Sequence, residues 1–192
     1  MSFLELRADT HRQFGGFSWM RVLKGALLRR TFRVVVTMRL CQAAAKSRGA
    51  LRLMSPVFKL LHRVSTHMAA MDFSWQTNAG AGLALTHGWG LVVNPGAKIG
   101  CNVTLMHGVT LGRSDRIGAD GERTSYFPTL EDEVWVGPHA IIVGGVTIGK
   151  GSRIGGGAFV TESVPPYSMV LGNPAVIVKS NCTPDVMNAA PL

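Results

Sequence analysis

Cysteine is scarce and scattered in this chain. The three cysteines, Cys41, Cys101 and Cys182, form no CxxC pair, and no cluster of histidine and cysteine has zinc-ligand spacing. An odd number of unclustered thiols is typical of proteins from a reducing compartment. The sequence therefore favours three plain thiols over a disulfide scaffold or a zinc finger.

Long apolar runs are also absent. Even when glycine is counted, a run such as residues 79–85 is far shorter than the roughly 18–20 residues that a membrane span requires. Glu5, Arg7 and Asp9 stand where a signal peptide would have its apolar stretch. We therefore expect a cytoplasmic protein without an integral membrane segment.

Acidic residues are rare in the first part of the chain. Residues 1–70 hold 13 Lys and Arg against 2 Asp and Glu, a net +11, whereas residues 71–192 hold 7 against 9, a net −2. The basic segment is predicted to be α-helical, and its positive charge leaves three interpretations open: a solvated face, contact with an anionic membrane surface, or contact with an anionic substrate. Nucleic acid is disfavoured, because aromatic residues are few and no nucleic-acid motif accompanies the charge. The apolar residues on helical spacings are Leu23, Leu27, Leu28, Leu51, Met54, Phe58 and Leu61.

A period of six dominates the rest of the sequence. Such a period fits a short parallel strand followed by a corner, and it fits neither the 3.6-residue period of a helix nor simple alternation. Three units make a coil of roughly 18 residues, so twelve units predict about four coils of a β-solenoid. The aliphatic residues that mark the units are Ala79, Leu85, Val93, Ile99, Leu105, Leu111, Leu130, Val136, Ile142, Ile148, Ile154 and Val160.

Two interruptions break the period. The step from Leu85 to Val93 is eight residues, which predicts a two-residue bulge around residues 86–90. A polar, glycine-bearing loop at 113–129 separates the two tracts, and such a loop is either functional or a tolerated insertion. The predicted organisation is a helical segment at 1–70, a solenoid domain at 71–179 and a flexible tail at 180–192.

Histidines mark the bulge as a candidate active site. His87 lies within it, beside Gly88 and Gly90, where a neutral imidazole could accept a proton from a substrate hydroxyl. His107 follows 20 residues later, one coil plus the bulge, which predicts that it stacks on His87 as a second catalytic group or as a polar ladder. His139 is interpreted as structural. A metal site is not expected, because these histidines have no close paired spacing.

Several motifs together resemble the serine acetyltransferase branch of the hexapeptide-repeat acyltransferases over residues 72–179. They are Asp72, Leu-Thr-His-Gly at 85–88, Val-Thr-Leu-Gly at 109–112, Val-Pro-Pro at 164–166 and Gly-Asn-Pro-Ala at 172–175. The resemblance implies a left-handed parallel β-helix, O-acetyl transfer from acetyl-CoA, and a homotrimer or a dimer of trimers. In that family an Asp fifteen residues before the catalytic His orients it, which implies that Asp72 orients His87 as general base.

The departures from that branch concern the acceptor. Thr86 replaces an Asp, and Tyr126 and Phe127 replace an Arg-His pair, so a zwitterionic amino acid would lose two charge-assisted contacts. These residues and Trp89 are the candidate substrate-binding residues. The string at 107–112 and the short basic N-terminal segment are closer to colanic-acid and capsule-type polysaccharide acetyltransferases. We therefore expect a saccharide acceptor, with serine O-acetyltransferase and a non-catalytic scaffold as alternatives.

The resemblance also implies where acetyl-CoA binds, along the coils between two subunits. Each candidate glycine is explained equally well as a plain coil corner, and the two basic candidates would meet the phosphates. Contact of residues 1–70 with the inner face of the membrane remains an alternative to a free cytoplasmic location. The candidate cofactor-binding residues are Gly112, Gly137, Arg153, Gly155 and Lys179.

Overall fold

The computed structural model describes residues 3–191, and its first part is helical. Gly15 ends the first helix in the left-handed conformation, and the Ser18 side chain caps the second by accepting from the Arg21 backbone N–H. Pro56 lies in the first turn of the fifth helix, where its missing N–H costs nothing. Within residues 3–191, none of the helices is both long and apolar enough to span a bilayer. The helices are α1 (Leu4–Phe14), α2 (Trp19–Leu28), α3 (Arg30–Lys46), α4 (Ala50–Leu53) and α5 (Ser55–Met68).

Short strands follow in rotation over three sheets, whose strands pair in parallel except that the last two strands, both in the third sheet, pair antiparallel with each other. The first sheet has the order β1-β4-β7-β12-β15, the second β13-β10-β5-β2, and the third β17-β16-β14-β11-β6-β3. The strands are β1 (Asp72–Phe73), β2 (Asn78–Ala79), β3 (Ala84–Leu85), β4 (Val92–Val93), β5 (Lys98–Ile99), β6 (Thr104–Leu105), β7 (Thr110–Gly112), β8 (Ser114–Ile117), β9 (Arg123–Tyr126), β10 (Thr129–Leu130), β11 (Trp135–Val136), β12 (Ile141–Val143), β13 (Thr147–Ile148), β14 (Arg153–Ile154), β15 (Phe159–Val160), β16 (Met169–Leu171) and β17 (Val176–Lys179).

The six-residue repeat sets the register between coils. Leu85 pairs with Leu105, which pairs with Val136, which pairs with Ile154, so equivalent aliphatic residues stack from coil to coil. Leu105, Val136 and Ile154 are fully buried. This stacking forms the core inside the coil, because each aliphatic side chain points inward from its face. The parallel sheets and the N-terminal helices confirm the predicted fold at this level.

The helical segment covers the open end of the solenoid. Val34, Val35 and Met38 of α3 belong to the same buried cluster as the first coils. A buried ion pair joins Asp9 of α1 to Arg39 of α3 at 2.7 Å, and Arg39 also donates to the carbonyl oxygens of residues 79 and 80 at 2.7 and 2.6 Å. Burial raises the pKa of Asp9, and the Arg39 guanidinium opposes that shift. The helices are thereby attached to the edge of the second sheet.

The long loop predicted at 113–129 is largely a β-hairpin. Its strands β8 and β9 pair antiparallel from Ser114 opposite Tyr126 to Ile117 opposite Arg123. Inside the hairpin, Asp115 accepts hydrogen bonds from Ser125 at 2.7 Å and from Arg123 at 2.6 Å. These hydrogen bonds lower the pKa of the Asp115 carboxyl.

The segment predicted as a flexible tail lies against the solenoid. The Asn102 side chain exchanges two hydrogen bonds with the backbone of Ala190, at 3.0 and 3.2 Å. Arg12 of α1 donates to the Thr104 hydroxyl at 2.7 Å, to the Gly82 carbonyl oxygen at 3.1 Å and to the Met187 carbonyl oxygen. Helix α1 and residues 187–190 therefore contact the same corner of the coil.

Candidate active site

Three imidazole rings lie one above another, each nearly perpendicular to the next, along the corner between the third and first sheets. His87 lies between β3 and β4, His107 between β6 and β7, and His139 between β11 and β12. The ring centroids of His87 and His107 are 5.9 Å apart, and those of His107 and His139 are 5.0 Å apart. The first pair lies one coil apart, as its spacing in the sequence predicts. We call these three residues the histidine column.

The backbone of this corner explains how His139 joins the column. Three residues after the aliphatic marker on four strands of the third sheet, the backbone takes a positive φ, at Gly88 (65°), Gly108 (67°), His139 (58°) and Gly157 (68°). His139 thus occupies a position that the other coils give to glycine. A Cβ atom on Gly108 would lie 2.2 Å from Nδ1 of His139, so the absence of a side chain at Gly108 makes room for the ring.

The middle ring of the column has an unsatisfied polar atom. Nδ1 of His107 is buried and has no hydrogen-bond partner within the described chain, whereas His87 and His139 are exposed. A buried polar atom without a partner is uncommon and normally finds one in a water or a ligand group. The rings of His87 and His139 are therefore accessible to solvent, and Nδ1 of His107 is available to hydrogen-bond a ligand.

Arg30 brings a cation to the bulge from the helical segment. It is the first residue of α3, and its guanidinium donates to the His87 carbonyl oxygen and lies 3.5 Å from the ring centroid of Trp89. Trp89 is 55% exposed, so this stacked pair forms part of the surface beside His87. Charge patterning marked the whole segment as basic, but it gave no signal that singled out Arg30.

Asp72 forms no ion pair or hydrogen bond with His87 within the described residues. It lies on β1 at the edge of the first sheet, with its side chain exposed and its backbone N–H donating to the Leu91 carbonyl oxygen at 2.9 Å. No hydrogen bond joins its carboxylate to His87 among residues 3–191. The two residues are therefore near each other in topology, through the pairing of β1 with β4, but they are not hydrogen-bonded.

The predicted acceptor-binding residues separate into two places. Thr86 and Trp89 belong to the bulge, next to His87. Phe127 instead covers Gly96 at the corner between the first and second sheets, where a Cβ on Gly96 would meet the ring at 2.5 Å. Tyr126 lies over Gly145 at the same corner, 40% exposed. Within one protomer these two rings pack on the coil, one corner away from the histidine column.

The candidate cofactor-binding residues are also divided. Gly137 and Gly155 lie on the corner of the histidine column, and a Cβ on Gly155 would meet Leu171 at 2.1 Å. Arg153 and Lys179 lie two strands apart on the third sheet, and Arg153 is paired with Asp185 at 2.8 Å. Gly112 ends β7, the central strand of the first sheet. Among residues 3–191, no group of three or more His, Cys, Asp or Glu is arranged to hold a metal ion.

The sequence comparisons point to acetyltransferases. Residues 127–162 match the family described as bacterial transferase hexapeptide (six repeats). The chain is 35% identical over 119 residues to serine acetyltransferase 4 of Arabidopsis thaliana, a match that covers 62% of this chain and 32% of that protein. It is 35% identical over 123 residues to serine acetyltransferase of Staphylococcus xylosus, covering 64% and 55%. The chain thus spans about half of these relatives, or less.

Solved structures of the same kind are similar over most of the chain. Serine acetyltransferase from Brucella abortus strain S19 has a TM-score of 0.73 and 29% identity, covering 93% of this chain and 70% of that one. The structure of serine acetyltransferase from that strain in complex with coenzyme A has a TM-score of 0.69 and 28% identity, covering 95% and 68%.

The expectation of a saccharide acceptor is wrong, since these relatives and structures are serine acetyltransferases. Part of the reason is that Tyr126 and Phe127, which favoured a sugar ring, pack on the coil instead. The resemblance to the hexapeptide-repeat acyltransferases is confirmed, and the comparisons support its serine acetyltransferase branch and not its polysaccharide branch.

Proposed function

We propose that this protein transfers an acetyl group from acetyl-CoA to the hydroxyl of L-serine. The observation that carries the proposal is the histidine column, on a fold similar to serine acetyltransferases of which one was solved with coenzyme A. An exposed imidazole at a glycine-lined corner is accessible to a hydroxyl acceptor and suited to accept its proton.

His87 acts as the general base in this mechanism. The serine Oγ attacks the thioester carbonyl carbon while its proton passes to His87, so a C–O bond forms and, as the intermediate collapses, the C–S bond breaks. The proton then passes from His87 to the departing CoA thiolate. His107 supplies a second imidazole 5.9 Å away, with a free Nδ1 for a polar group of the substrates. Asp72 is proposed to orient His87, and its fifteen-residue spacing supports that role.

Arg30 is proposed to hold the serine carboxylate. Thr86, Tyr126 and Phe127 offer no charge, so a zwitterionic acceptor needs a cation from elsewhere. The Arg30 guanidinium lies at the bulge, and a guanidinium has five N–H donors, more than the backbone contacts use. Replacing Arg30 by Gln should raise KM for serine about tenfold or more, because a charge-assisted contact is lost, while KM for acetyl-CoA changes little. Arg30→Lys should recover part of the loss.

Thiol release from acetyl-CoA, with L-serine and with a blank that lacks an acceptor, tests the proposal. Serine-dependent release should fall about 10²–10⁴-fold in His87→Ala, which removes the base. Asp72→Asn should lower kcat with a smaller effect on KM, and His67→Ala, an exposed histidine on α5, serves as the matched control. Release that does not depend on serine, or that survives His87→Ala, overturns the proposal.

Four further features accompany this function as proposals. The coil is left-handed, acetyl-CoA lies along it near Gly112, Gly137 and Gly155 with Arg153 and Lys179 at its phosphates, and the chain assembles as a homotrimer or a dimer of trimers. The protein works in the cytoplasm. Their support is the resemblance and the similar solved structures, one of which holds coenzyme A.

A further inference from the structure

Helix α2 turns an apolar stripe away from the protein. Met20, Leu23 and Leu27 follow one another at helical spacing and are 58%, 56% and 64% exposed. The buried side of the helix is formed instead by Val22 and Gly25, which face α3. Burial of this stripe would be favourable, yet nothing within the described chain covers it.

Helix α5 also exposes its apolar stripe to solvent. Val57, Leu61 and Val64 are each 47% exposed, and the stripe continues to Met68 one turn later. The buried side of α5 carries polar His62 and Ser65. Because α2 and α5 both pack against α3, the helical segment presents two apolar stripes to its surroundings.

Positive charge flanks both stripes. Arg21 and Lys24 are exposed on α2, and Lys59 and Arg63 on α5. Residues 1–70 contain only 2 acidic residues against 13 basic ones, and one of the two, Asp9, is buried in its pair with Arg39. The surface that surrounds the apolar stripes is therefore almost purely cationic.

We propose that α2 and α5 bind the surface of a membrane that contains anionic lipid. Apolar stripes flanked by Lys and Arg lie in the interface with the side chains in the acyl boundary and the cations at the headgroups. A second copy of the chain is a poorer occupant, because it would bring two surfaces of the same strong positive charge together. Nucleic acid is a less suitable partner still, because its phosphates could pair with the Lys and Arg side chains but would not bury the exposed leucines.

Vesicle flotation of the full chain tests this assignment. Binding should be strong on vesicles that mix phosphatidylcholine with phosphatidylglycerol, weak on phosphatidylcholine alone, and reduced by salt. The double variant Leu27→Ser with Leu61→Ser should lower partitioning about tenfold or more, because buried apolar area is lost. Arg21→Gln with Lys24→Gln should lower it about fivefold per residue, on the anionic vesicles only.

The control variant combines Ile117→Ser and Val176→Ser, which remove apolar residues that are 61% and 57% exposed outside the helical segment. It should bind vesicles as the unchanged protein does, and acetyl transfer should persist in all variants. Failure of the unchanged protein to float with anionic vesicles overturns the proposal. Flotation of the Leu27→Ser, Leu61→Ser variant at the level of the unchanged protein also overturns it. A fall in the particle mass of that variant in solution would likewise overturn it, because the stripes would then be an interface with a second copy of the chain.

Discussion

The solenoid buries its aliphatic side chains, whereas helices α2 and α5 of the helical segment expose most of theirs. In the solenoid every aliphatic marker from Leu105 to Ile154 is fully or almost fully buried. In α2 and α5 the apolar stripes face outward, and Gly25, His62 and Ser65 lie inside. The solenoid therefore builds most of its core from its own repeat, whereas α2 and α5 carry apolar surface that no other part of residues 3–191 covers.

The largest effect is expected where the two regions join. Arg39→Met leaves Asp9 buried without its cation, so the free energy of unfolding should fall by about 3–5 kcal/mol. Urea denaturation measures the change, and Arg48→Met, at an exposed arginine of the same segment, should stay within about 0.5 kcal/mol. Equal effects of the two substitutions would mean that the buried pair does not hold the regions together.

Two substitutions that shorten an aliphatic side chain to alanine compare the two regions directly. Ile148→Ala, at a fully buried marker, should cost about 2–5 kcal/mol through lost burial and the cavity left behind. Leu28→Ala, at a residue 81% exposed, should change the free energy of unfolding by about 0.5 kcal/mol or less in the absence of lipid. A large cost at Leu28 would show that its side chain is covered in solution.

The smallest effect concerns acid stability of the helical segment. His62 lies between α3 and β1, with Nδ1 3.0 Å from the Thr37 hydroxyl and Nε2 2.8 Å from the Phe73 carbonyl oxygen. Burial lowers the pKa of His62 from its ordinary 6.5. The unfolded chain therefore takes up this proton first, so stability that is complete above pH 6.5 is lost as the pH falls through the lowered pKa.

Thermal unfolding between neutral pH and about pH 5 measures this loss. His62→Gln keeps a hydrogen-bonding side chain but cannot titrate, so it should flatten the pH dependence of the midpoint. His67→Gln, on the exposed side of the same helix, should leave that dependence unchanged. An unchanged slope in His62→Gln would contradict the assignment.

The period of six was sufficient to predict the solenoid because each unit repeats the same local requirement. An aliphatic residue must point inward at every face, so Leu105 and Val136 are recognisable without knowledge of their neighbours. The register of the same repeat correctly predicted that His107 lies one coil away from His87. The hairpin at 114–126 was not predicted, because its strands are polar and pair only with each other.

The candidate site was harder to predict where it depends on contacts distant in sequence. His139 follows the marker Val136 by three residues, as Gly108 follows Leu105, so the repeat itself contained the signal that was missed. Arg30 had no such signal, since its place beside Trp89 depends on how α3 packs on the first coil. The acceptor was predicted wrongly because Tyr126 and Phe127 were assigned to a ligand by residue type alone.

The contacts of Arg12 determine where a fusion partner can be placed without disturbing the protein. Its guanidinium reaches two successive coils and the backbone of Met187, and the Asn188 side chain donates back to the Arg12 carbonyl oxygen at 3.4 Å. A purification tag or fluorescent protein inserted near residues 188–190 would lie beside α1 and the first coils. Fusions intended to leave the protein unperturbed are better inserted at the tip of the β8–β9 hairpin, where a side chain at Gly121 would meet nothing within 4 Å.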